Sequence, residues 1–128
     1  MVVFKINEKI YYIPIIFVIG SWEERCQYLK EKENIKIALQ RGHGGDCELF
    51  EDNNGHSLIC IWLPEFDYNV VEYICALQHE IDHAIFFILG ERDIPILAGE
   101  ENHAYIYLKE YFTNQALKRL KKECNNDN

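Results

Sequence analysis

Apolar positions follow two rhythms along this chain. As far as Pro64 they come in short runs or alternate with polar residues; from Asn69 onward they recur every three or four. The first rhythm predicts strands. Val2 to Ile6 is a short one, and Asn7-Glu8-Lys9 reads as a turn. Ile10 to Ile19, rich in Ile, Val, Tyr and Phe, predicts a longer strand with a bulge or an edge at Pro14, which has no N–H for a ladder. Ser21 followed by Glu24 is a capping box, opening a helix that buries Trp22, Cys26 and Leu29 and ends near Glu33 or Asn34. Ile35, Ile37 and Leu39 alternate with polar or small residues, the pattern of a half-buried strand. Gly42 to Asp46 is a loop that carries His43. Cys47 to Phe50 and Ser57 to Leu63 flank Asp52-Asn53-Asn54-Gly55, and an Asn-Gly turn between two apolar runs predicts a hairpin.

The second rhythm predicts two helices. Val70, Tyr73, Ile74, Leu77, Ile81, Ala84, Ile85 and Ile88 form a broad apolar stripe that Gly90 is placed to end. A connection containing Pro95 leads to a last helix from Gly99 or Glu100 to Lys122, with Ala104, Tyr105, Leu108, Phe112 and Leu120 on its apolar face. The outline is an α+β domain: a mixed β-sheet packed against helices. Its 128 residues suffice for one domain, expected over residues 1–124, with an Asn-rich disordered tail at 125–128.

Charge narrows the classes. Thirteen Lys and Arg stand against 21 Asp and Glu, a formal charge of -8, which is the wrong sign for a non-specific nucleic-acid binder. The basic group Lys118, Arg119, Lys121 and Lys122 suits the negative end of a terminal helix. The longest apolar run is about half a membrane span. Five widely spaced cysteines without a Cys-x-x-Cys pair, and no signal-peptide pattern, predict free thiols in a cytoplasmic protein.

The chemistry lies in His79-Glu80-Ile81-Asp82-His83. Residues four apart share a helix face, so His79 and His83 can offer two imidazoles to one zinc ion. Glu80 then stands beside a water on the metal, where a general base is needed. Both histidines lie among apolar neighbours and are expected to face the core. A third protein ligand is sought at the start of the last helix. Glu101 shares a face with Ala104, Tyr105 and Leu108 and is the first choice; Glu100 and His103 are the alternatives. Tyr105, one turn on, is a candidate donor to an oxyanion. Asp82 lies on another face, as a surface residue or a partner for a ligand imidazole, a role for which Asp67 and Asp93 compete.

Residues 79–83, with Glu101-Asn102-His103-Ala104-Tyr105, resemble the glutamate-ligated branch of the zincin metallopeptidase superfamily, and in particular small zincin-like proteins of phages and prophages. The resemblance implies a small zincin-like fold, with the sheet packed against the motif helix and a C-terminal helix. It implies His79, His83 and Glu101 as zinc ligands, Glu80 as general base and a peptide or protein as substrate. An extended substrate would pair with an edge strand, for which Ser57 to Leu63 is the candidate. The rival is a non-catalytic adaptor or inhibitor on the same fold, possibly holding zinc. The pattern leaves the substrate and the oligomeric state open.

Overall fold

A computed structural model describes residues 1–35, 44–52 and 54–124. Five of the predicted elements recur with small shifts: β1 (Val2–Ile6), α1 (Trp22–Lys32), β3 (Asp46–Glu51), β4 (Ser57–Leu63) and α2 (Val71–Glu91), to which β2 (Ile15–Ile19) and α3 (His103–Cys124) are added in shortened form. The strand expected after Ile35, the loop histidine His43 and the tail at 125–128 lie outside the described residues.

The four strands form one mixed sheet in the order β1-β2-β4-β3. The β1/β2 and β3/β4 pairs are antiparallel, and β2 runs parallel to β4. The two middle strands are buried on both faces, which explains their unbroken apolar sequences, Ile15-Ile16-Phe17-Val18-Ile19 and Leu58-Ile59-Cys60-Ile61-Trp62-Leu63. Alternate residues feed two cores. Ile15, Phe17, Ile59, Ile61 and Leu63 pack with Leu77, Ile81, Ile85, Leu108 and Phe112 of α2 and α3. Ile16, Val18, Cys60 and Trp62 pack with Trp22 and Leu29 of α1 on the opposite face. The mixed sheet packed against helices is as expected from the sequence; that α1 covers the face opposite α2 and α3 was not read from it.

Three expectations are corrected. The second strand begins only at Ile15, because the buried Glu8 carboxylate takes the N–H groups of Ile10 and Tyr11 at 2.7 Å and Tyr12 turns at a φ of 60° before Pro14. α2 runs through Gly90 to Glu91, and the N–H of Arg92 closes it on Gly90 and Ile88 carbonyls. α3 starts at His103 and not at Gly99 or Glu100, because Asn102 holds the preceding turn closed. Its side chain accepts from Leu97 N–H and donates to the carbonyls of Leu97 and Glu100, at 3.0–3.1 Å, with its own φ at 50°. The capping box of α1 is present as read, Ser21 and Glu24 each taking the other's N–H at 3.0 and 2.9 Å.

Candidate metal centre

α2 is amphipathic, with Leu77, Ile81, Ala84, Ile85 and Ile88 sealing its inner face against the sheet and α3. That fixes the rotation of the helix and therefore the directions of His79, Glu80 and His83. The histidines come out on the exposed side, not toward the core as expected; their apolar neighbours Leu77, Ile81, Ala84 and Ile85 occupy the other side of the helix. Glu80, 100° further round, is turned inward and is only 7% exposed.

The three side chains bring one ligand atom each to within 4.8 Å of the others. The two imidazole Nε2 atoms are 3.1 Å apart, with their rings at 80°. Two nitrogens bound to one tetrahedral zinc at about 2.0–2.1 Å would lie roughly 3.3 Å apart, so the pair fits a single ion. A hydrogen bond between two neutral rings also satisfies that distance, but between water-exposed groups it contributes little. The cluster can hold a metal.

Glu80 is walled in by the edge of the sheet. A Cβ placed on Gly45, the residue that leads into β3, would stand 3.0 Å from Glu80 Oε2 and 3.2 Å from Leu63 Cδ2, so glycine there leaves the carboxylate its space. Among the described residues no side-chain or backbone donor bonds that carboxylate. Loss of water raises the Glu80 pKa; the two histidines partly offset this, and the negative Asp46 adds to it.

The other predicted residues are placed as follows. Glu101 lies in the turn before α3, its side chain 82% exposed and in contact with His103 Nε2 at 2.6 Å. It is outside the three-residue cluster, as are Glu100 and His103. The helical phase used to choose Glu101 over Glu100 applies to neither, since both precede the helix. Tyr105 donates its hydroxyl to Asp82 Oδ1 at 2.7 Å, and Lys109 Nζ reaches the same oxygen at 2.7 Å. Asp82 therefore ties α2 to α3 and, among the described residues, bonds no imidazole. Asp67 accepts from the N–H of Asn69, in the turn that opens α2. The candidate edge strand is also corrected: β4 lies between β2 and β3, and the strand beside Glu80 with no neighbour among the described residues is β3.

Sequence reasoning missed Gly45 and Arg25. Arg25 is fully buried under α1, 2.7 Å from Glu48 and 3.8 Å from Asp46 of β3, with its guanidinium 4.1 Å over the Trp22 ring. It holds the edge strand from the face opposite Glu80. Its place in a capping-box helix among charged residues gave no sign of burial.

No protein-family model, curated protein or solved structure matches this chain. No helix among the described residues is long and apolar enough to cross a membrane.

Proposed function

We propose that this chain is a zinc-dependent hydrolase of peptide bonds, with Glu80 as its general base. The observation that supports this reading best is the pairing of two water-exposed imidazoles at 3.1 Å with a largely buried carboxylate from the residue next to one of them, which takes no hydrogen bond among the described residues. His79 and His83 would hold the ion. Bound there, zinc supplies a Lewis acid toward the scissile carbonyl and brings the pKa of a water toward neutrality. The Glu80 carboxylate takes the proton and returns it to the leaving amine; its raised pKa suits both transfers. The missing side chain at Gly45 leaves that carboxylate its room.

Glu101 is the protein ligand that the resemblance to zincins supplies, and it would serve only by giving up His103. Tyr105 is assigned to Asp82, where it fixes α3 against α2. β3, which has a strand neighbour on one side only among the described residues, would offer the N–H and C=O groups of its other edge to an extended substrate. The rival reading is an adaptor that holds zinc. It uses His79 and His83 but has no need of a carboxylate walled in beside them. Hydrolysis of a broad peptide library by zinc-loaded protein, abolished by a chelator and restored by zinc, is the result expected. A zinc-loaded protein that cleaves nothing there is the adaptor's result.

A further inference from the structure

Phe86 is a large apolar side chain that the core does not use. It is half exposed, although it belongs to a helix whose inner face is sealed. It lies three residues after His83, hence on the same face one turn along. Its ring is not loose. It stacks on Tyr105 at a centroid distance of 5.9 Å and an angle of 17°. Tyr105 is in turn pinned at its hydroxyl by Asp82, which Lys109 also holds. A rigid aromatic surface thus continues the metal-binding stripe of α2 on the side of α3, while Glu80 and Gly45 bound that stripe on the side of β3.

We infer that the Phe86–Tyr105 pair is a stacking platform for an aromatic side chain of the peptide that the metal centre acts on. The occupant rests on the hydrolase reading; the platform rests on the packing. Continuity with the two imidazoles places the platform about one helical turn from a bound carbonyl, which is the reach of a side chain next to the scissile bond. The flat, open ring favours an aromatic partner over a branched aliphatic one. A stacked pair gains affinity beyond the area it buries, whereas an aliphatic side chain gains its area alone.

The test uses two zinc-binding probes of similar size, phenylalanine hydroxamate and leucine hydroxamate, titrated calorimetrically into zinc-loaded protein. The phenylalanine probe should bind about fivefold tighter. Phe86→Ala should remove that preference, Phe86→Trp should keep it, and Tyr105→Phe, which retains both rings, should keep it too. Equal binding of the two probes by the wild type, or a preference that survives Phe86→Ala, overturns the inference. So does a concentration-dependent dimer that Phe86→Ala dissociates, since the ring then serves a second copy of the chain. The two readings fail separately: discrimination by a protein that cleaves no peptide removes the hydrolase and leaves the platform, while cleavage without discrimination removes the platform alone.

Discussion

The Tyr105 hydroxyl donates to Asp82 at 2.7 Å across the boundary between α3 and α2. This polar contact ties the helix that carries His79 and His83 to the helix that follows, beside their shared core, and Lys109 reinforces it from the next turn. Accepting a charge-assisted hydrogen bond, Asp82 raises the Tyr105 pKa, so the neutral phenol is the form held. Tyr105→Phe should lower stability by about 1–2 kcal/mol in urea unfolding and leave the rate of hydrolysis within a few-fold. A loss of about a hundredfold or more with unchanged stability would make the hydroxyl an oxyanion donor.

The third ligand is open to a direct comparison. Glu101→Ala should weaken zinc binding by at least about tenfold, and Glu100→Ala should leave it within about twofold, measured by competition with a chromophoric chelator. Loss in the Glu100 variant alone would give the site to the neighbouring carboxylate.

Arg25 tests how the edge strand is held. Removing it leaves Glu48 and Asp46 without their buried cation. Arg25→Ala should cost about 3 kcal/mol at neutral pH. Burial and the neighbouring Asp46 already raise the Glu48 pKa, with Arg25 working against them. Without Arg25 the carboxyl takes up a proton more readily, so the deficit should shrink as pH falls from 7 to 5 in urea unfolding. A deficit that does not change with pH would show that the lost packing over Trp22 dominates.

A second buried carboxylate gives a signature at high pH. Glu8, 2% exposed, accepts the Tyr107 hydroxyl at 2.8 Å, and this holds the Tyr107 pKa up, to about 12. A phenol whose folded pKa exceeds its unfolded one stabilises the fold below the unfolded value, and that contribution disappears as pH rises toward the folded value. Melting temperature should therefore fall between pH 10 and 12, and Tyr107→Phe should flatten this part of the fall.

Much of this fold is legible in the sequence because its signals are local. Ser21 and Glu24 define the start of α1, Asn54-Gly55 marks the hairpin, and Ser57 to Leu63 is read with the bounds the strand has. The misreadings come from contacts distant in sequence or from side chains acting on the backbone. Glu8 takes two N–H groups that the apolar run from Ile10 seemed to offer to a strand, and Asn102 closes a turn that the apolar period carried straight through. The spacing of His79, Glu80 and His83 places them on one helix, but periodicity alone does not say which face looks outward. The rotation of α2 is decided by Leu77, Ile81 and Ile88, and it exposes both imidazoles while burying Glu80. Gly45 was unreadable as part of the site, since its role is to leave room for a side chain 35 positions away.

In the hydrolase proposed above, His79 and His83 hold zinc and Glu80 acts beside it without holding it. Glu80→Gln preserves size and removes the base. The single most direct measurement is zinc affinity and peptide hydrolysis on the same preparation of this variant. The variant should fold, keep a zinc affinity close to that of the wild type and lose hydrolysis by roughly a hundredfold to ten-thousandfold. A Glu80→Gln protein that cleaves as fast as the wild type, or one that no longer takes up zinc, would contradict the hydrolase reading.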